Sequence, residues 1–188
     1  MTTLRTDLLH SAAELVASRG LEALTIRAVA AQAGASIGAV QHHFPTKADL
    51  LLALVDAIEG QIRADLETSE AASGRESAPE ALHRLTELLG GATADAQPSI
   101  RVWLAFVAHA LGDPTVAKHH RQLWRTVEDS LARLLEGAGV PAMEAADRAA
   151  ILLASLDGIA IARAMEPDRM PLERCRRLVH QATTTALA

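Results

Sequence analysis

Four residues near the centre of the stretch Thr25 to Lys47, TIRAVAAQAGASIGAVQHHFPTK, are small, apolar or able to hydrogen-bond: Ile37, Gly38, Gln41 and His42. Val40 and Phe44 stand four apart, the spacing of neighbours on one face of a helix, so with these two turned inward the other four turn outward. Such a face suits the major groove of a duplex. A carboxamide like that of Gln41 both donates and accepts, as an adenine edge requires, and Ile37 can lie against a thymine methyl. Gly38 and Ala39 leave the backbone free to come close to base edges. The chemistry on offer is recognition. A second reading of the same pattern is a helical hairpin whose small residues serve packing alone.

A recognition face has to be held by a neighbouring helix and a fixed turn, and the flanking residues supply both. Thr25 offers an N-cap hydroxyl, after which Ile26, Val29, Ala30 and Ala33 repeat at i, i+3, i+4 and i+7 to make one apolar stripe. Gly34 stands where the chain must turn, a position that calls for positive φ, and Ser36 is placed to cap the second helix. A turn of three to four residues containing glycine between two helices describes a helix-turn-helix. A preceding helix over about 5–19, with Leu8, Ala12, Leu15 and Val16 on one face and a stop at Gly20, roofs the motif. Leu21 and Leu24 tie the connecting loop to the same small core. Pro45 ends the second helix of the motif, and Thr46 caps a fourth helix that begins at Lys47. Its free N–H groups, positive dipole end and lysine make a site for a phosphate.

These residues resemble the TetR family of transcriptional regulators. Thr25, Gly34, Ser36, Gly38, His43, Phe44 and Lys47 match its signature in order. The resemblance implies DNA contacts at Thr25, Arg27, Ser36, Ile37, Gly38, Ala39, Gln41, His42, His43 and Lys47. It also implies a homodimer on an inverted-repeat double-stranded DNA operator and a small-molecule effector, with no cofactor. One departure stands out: Gln41 occupies the place where most members carry a tyrosine that touches the phosphate backbone, which leaves a base-reading role open to it.

Composition bounds the fold independently. The chain has 188 residues, 49% of them apolar and only 2% aromatic, with Ala and Leu dominant, which is an all-helical composition. Its length suits a small head, residues 1–46, and a larger body, residues 47–188. The net charge is −5, but residues 1–47 hold four basic and three acidic side chains against 14 and 20 in the rest, so nucleic acid should meet the N-terminal part. A single cysteine, Cys175, excludes an intrachain disulfide and the common zinc spacings, and reads as a small buried hydrophobe. No apolar run is long enough to span a bilayer and no signal peptide is visible, so a cytoplasmic protein without membrane partners is expected.

The fourth helix carries Leu50, Leu51, Leu54, Ile58, Ile62 and Leu66 over about 20 to 25 residues, or 30 to 38 Å. Thr68 to Pro79, polar and small, reads as an exposed loop. Five helical segments follow, Glu80 to Thr93, Pro98 to Leu111, Pro114 to Glu136, Ala142 to Met165 and Pro171 to Leu187, separated by Gly and Pro signals. The expectation is an all-α protein of about nine helices: a three-helix helix-turn-helix head joined by a long helix to a C-terminal bundle.

Within the body, AAILLASLDGIAIARAM is apolar nearly all round and needs cover on more than one side. Leu172, Cys175, Val179, Ala182 and Ala186 give the final helix a stripe suited to close approach. The last two helices, about 142–165 and 171–187, are therefore expected to pair across a two-fold axis, the other reading being a larger monomeric core. Trp103, Phe106, His109, His120, Trp124 and Asp157 are expected to line an effector cavity between helices, with plain core packing as the competing reading. Asp157 also suits pairing with an arginine across a dimer. The order WLAFVAHALGDP then LLASLDGIAIARAMEPDRM resembles the choline-responsive, BetI-like branch of the family. A quaternary ammonium favours an aromatic cage, and a chain without tyrosine and with two Trp and two Phe does not extend that resemblance to choline. Against catalysis stands the absence of any phosphate-binding glycine loop, nucleophile elbow, HExxH or CxxC. His119 and His120 are adjacent, which makes them poor joint metal ligands, so no metal is expected. A ligand-free architectural DNA binder would need a far more basic chain. The reading is a repressor that leaves its operator when the small molecule binds, with a ligand-responsive activator or dual regulator as the alternative.

Overall fold

The computed structural model describes residues 3–73 and 77–188, and the side chains of all of these except 61–73. The fold is all-α. The helices are α1 (Leu4–Arg19), α2 (Ile26–Ala33), α3 (Ile37–His43), α4 (Lys47–Ser73), α5 (Ala78–Leu89), α6 (Gln97–Ala110), α7 (Pro114–Gly137), α8 (Ala142–Met165) and α9 (Leu172–Leu187), with a 3-10 turn at Leu21–Ala23. No strand occurs among the described residues.

Local chemistry accounts for where the helices begin and end. The Thr46 N–H and hydroxyl both donate to Asp49 Oδ2, at 3.0 and 2.7 Å, while the Asp49 N–H returns to Thr46 Oγ1 at 3.1 Å, a reciprocal cap on α4. Asp113 Oδ1 caps α7 by accepting from the N–H groups of Thr115 and Val116. Ser77 donates its N–H and hydroxyl to Glu80 at the start of α5, and this hydroxyl above all holds the Glu80 carboxyl below its ordinary range.

The chain divides into two compact units that do not follow chain order, residues 1–60 with 97–120 and residues 61–96 with 121–188. The first unit holds α1 to α3, the start of α4, α6 and the start of α7. In it α1 packs on α2 and α6, and α2 on α3. Leu8, Leu15 and Val16 of α1, Val40 and Phe44 at the end of the motif, Leu50 and Leu51 of α4 and Phe106 of α6 are all buried. The Arg101 guanidinium on α6 donates to the Ala17 carbonyl at 2.8 Å, satisfying one of the orphan acceptors at the end of α1.

The second unit is built on α9 packed against α5 and α8. Its core joins Leu82 and Leu85 of α5, Leu131 and Leu135 of α7, Leu152 and Leu156 of α8 and Val179 of α9. The end of α5 is held closely. A Cβ on Gly90 would stand 2.5 Å from Val179 Cγ2 and 3.0 Å from Leu156 Cδ2. Carbonyls just past that end accept from Cys175 Sγ (Gly90, 3.4 Å), Arg176 Nε (Ala92, 3.1 Å) and Arg163 Nη1 (Thr93, 2.8 Å). Burial pushes the Cys175 thiol up, which keeps it an inert packing residue.

Two expectations are corrected. In place of one loop over Thr68 to Pro79, α4 continues to Ser73 and α5 starts at Ala78, leaving 74–76, outside the described residues, between them. Glu67, Glu70, Ala71 and Ala72 are adequate helix formers, and their small or polar character also fits a loop, which is why composition misleads there. The α9 stripe, expected to face a partner, has Cys175, Val179 and Ala186 buried in the core of their own unit. Helical spacing marks a buried face without saying which neighbour buries it.

Candidate nucleic-acid interface and effector residues

The motif is built from two short helices and their caps. Thr25 Oγ1 accepts the Ala28 N–H and Ser36 Oγ the Ala39 N–H, both at 3.1 Å. Between them Gly34 takes φ 64°, a left-handed conformation natural to glycine. The Ala30 carbonyl accepts from the N–H groups of both Gly34 and Ala35, which closes α2. Val40 and Phe44 are buried on one side of α3, and Ile37, Gly38, Gln41 and His42 are exposed on the other, Ile37 to 44%.

Thr25, Arg27 and Ser36 are also exposed, whereas Ala39, His43 and Lys47 are half-buried. His43 lies edge-on to His42 at 5.3 Å between centroids, and the Arg5 guanidinium sits 5.4 Å from the centroid of the Phe44 ring at the end of α3. A Cβ on Gly38 would meet only Ser36 Oγ, at 4.0 Å. Nothing inside the fold requires glycine there.

The six expected effector residues are distributed over both units. In the first unit Trp103 stacks on His120 at 5.6 Å with 22° between planes, and Phe106 touches both, at 5.5 Å from Trp103 and 5.8 Å from His120. His109, at the end of α6, lies 4.0 Å from Asp113 rather than in that cluster. Trp124 belongs to the second unit, half-buried against its core, and Asp157 is half-buried on α8. Sequence reasoning missed His119, which sits edge-on to Phe106 at 6.0 Å with its Nε2 3.0 Å from Asp56 Oδ1. That approach lies off the hydrogen-bonding direction, and the buried Nε2 makes no hydrogen bond there. No local pattern links positions so far apart in the chain. Among the described residues no group of three or more His, Cys, Asp or Glu is placed to hold a metal, and no helix is long and apolar enough to cross a membrane.

Comparison with known proteins decides what this arrangement belongs to. Residues 8–54 match the bacterial regulatory proteins of the tetR family, and residues 78–188 match the family described as BetI-type transcriptional repressor, C-terminal. The chain belongs to the TetR family. This TetR-family chain is 27% identical over 192 residues to the HTH-type transcriptional regulator BetI of Escherichia coli (strain K12), with 97% of the chain and 93% of that protein covered. A transcriptional regulator from Rhodococcus sp. Rha1 is 30% identical and superposes with a TM-score of 0.86 over 98% of this chain and 96% of its own. A regulator from Saccharomonospora viridis, solved in complex with choline, shares the fold at 24% identity and a TM-score of 0.78, over 94% of this chain and 93% of its own. The TetR-family chain is thus a BetI-like transcriptional regulator and not an enzyme.

Proposed function

We propose that the protein is a cytoplasmic, homodimeric repressor that binds an inverted-repeat operator through α3 and leaves it when a small molecule binds the body. The division of labour follows the chain, with residues 1–46 meeting DNA, joined by Lys47 at the start of α4, and the rest of 47–188 serving effector and partner. The observation that carries the reading is the outward face of α3. It offers a glycine with open space beside it, a carboxamide and an exposed isoleucine, on a helix anchored by Val40 and Phe44. Gln41 and Arg27 take base edges, Ser36, Thr25 and Lys47 take phosphates, and Ile37, Gly38, Ala39, His42 and His43 line the approach.

The dimer is supported by α8, where Ile151 (69% exposed), Ala154, Gly158, Ile161 (43%) and Met165 (71%) run outward at alternating spacings of three and four, as a helix seam does. Beside it a groove of about 450 Å³ is lined by Leu152, Ile159, Leu178, Ala182 and Thr185, with Arg148 at its edge. Effector contacts are assigned to Trp103, Phe106, His109, His120, Trp124 and Asp157, with the clustered Trp103, Phe106 and His120 rings as their centre. An effector that prefers a dimer with its two α3 helices away from the spacing of successive major grooves, about 34–36 Å, releases DNA by population shift.

The test is selection of duplexes from a random library by the full chain, followed by sedimentation with and without the selected DNA. Two related half-sites with centres one helical turn, about 10 base pairs, apart and a dimer that Ala182→Asp disrupts support the reading. Enrichment of no symmetric site sinks the operator proposal, and an intact dimer in Ala182→Asp moves the interface off α9.

A further inference from the structure

We propose that His83 and His180 form a two-histidine site for a divalent transition metal, linking α5 to α9. The rings stand 5.3 Å apart between centroids with their planes at 42°. His83 Nδ1 lies 2.8 Å from the Pro79 carbonyl oxygen. A carbonyl only accepts, so Nδ1 carries a proton, and in the neutral ring this leaves the lone pair on Nε2, the tautomer that ligates a metal through Nε2. A backbone carbonyl behind the distal nitrogen is also the usual support of a metal-bound histidine, because it fixes the ring plane and raises the basicity of the ligating atom.

The ring spacing agrees with shared coordination. With metal–nitrogen bonds of about 2.0–2.1 Å, and each centroid about 1.1 Å further out on the same line, two imidazoles at neighbouring positions of a tetrahedral or octahedral ion have centroids about 4.5 to 5.2 Å apart. The observed pair, at 5.3 Å, lies just outside that range. His180 is exposed and His83 half-buried, so an ion can enter from solvent and a small rotation of the His180 ring closes the remaining gap. With two protein ligands, water completes the shell. Imidazole nitrogen selects Cu²⁺, Ni²⁺ or Zn²⁺ over Mg²⁺ or Ca²⁺, with Cu²⁺ held most tightly.

The two helices already touch through the buried Thr183 to Thr86 hydrogen bond of 2.8 Å. A metal bridge adds a second tie between the same pair. It exists only when α5 and α9 are packed together, so the ion stabilises the folded chain by mass action. Protons compete for the same nitrogens, so binding weakens as pH falls. None of this depends on the DNA or effector assignments.

The experiment is calorimetric titration of the full chain with CuCl₂, and separately NiCl₂, in a non-coordinating buffer at pH 7.5 and pH 6. The parent is compared with His83→Gln, His180→Gln and the double variant, and circular dichroism checks that each remains helical. One equivalent of metal is expected. Each single variant should weaken it at least tenfold, the double variant should add no further loss, and only the parent should gain melting temperature with metal. Identical titrations of parent and double variant would overturn the site by placing any bound metal on the other histidines. A single variant that binds like the parent reduces the pair to one surface imidazole and also overturns it. Should His83→Gln misfold, the exposed position decides alone: unchanged affinity in His180→Gln rejects the bridge.

Discussion

The N-terminal end of α3 and the C-terminal end of α5 each carry a glycine, and the two are there for opposite reasons. Around Gly90 the molecule has closed in: Val179 and Leu156 occupy the space a side chain would need. Around Gly38 the molecule has stayed away, and the empty space opens outward. The first glycine lets two helices of one chain approach, whereas the second leaves room for something that is not this chain. Close packing and close recognition ask for the same residue, and only the direction of the free space tells them apart.

The largest expected effect breaks the inward case. Gly90→Ala overpacks a site held on two sides and should cost about 1 to 3 kcal/mol, seen as a fall in melting temperature with DNA affinity per folded molecule unchanged. On the outward side, Gln41→Ala should lose about 1 to 3 kcal/mol of discrimination at one base position per half-site, measured as binding to single-base operator variants. Equal loss on every variant removes the base-reading role. Gly38→Ala sharpens the comparison most directly, because a Cβ there costs the fold nothing and should add about 0.5 to 1 kcal/mol of helix stability. Operator affinity should nevertheless fall about tenfold, or about 1.4 kcal/mol. A stable variant with full affinity would show that the open space is not used. Lys47→Ala should weaken all duplexes alike and lower the salt slope by about 0.9 for each phosphate that the lysine no longer neutralises.

The smallest effect concerns Glu80, whose carboxyl is held below its ordinary value of 4.5 by the Ser77 hydroxyl and N–H. A depressed folded value contributes stability above the unfolded one, lost as pH falls through the folded one. Parent and Glu80→Gln should therefore differ in melting temperature at pH 7 and converge in acid, as pH scans of the two will show.

The motif and the helix boundaries around it were legible because they are written locally, whereas the end of α4 was not. Ser36, Gly34, Pro45 and Thr46 act within a few residues of themselves, and Val40 and Phe44 declare their buried side by spacing alone. The run from Pro114 is set by Asp113, one residue before it. What stayed illegible is the meeting of residues far apart in the chain. Asp56 beside His119 and Trp124 joining a leucine core leave no local trace. The α9 stripe shows the same limit from another side: its apolar spacing is plain, but Val179 turns toward Gly90 of its own chain and not toward a partner. Rarity of type is what singles out the candidate effector residues, and rarity carries no information about which of them meet.

The bond from Arg101 to the end of α1 has a consequence for anyone wishing to exchange DNA specificity between such regulators. The helix that roofs the motif leans on α6, which enters the chain some fifty residues after the motif has ended. A graft cut after α3 would carry that helix to its new host without the α6 surface that α1 rests on. A working transplant has to move α6 as well, as two insertions rather than one, so the reading head is inherited as a pair of distant segments and not as a cassette.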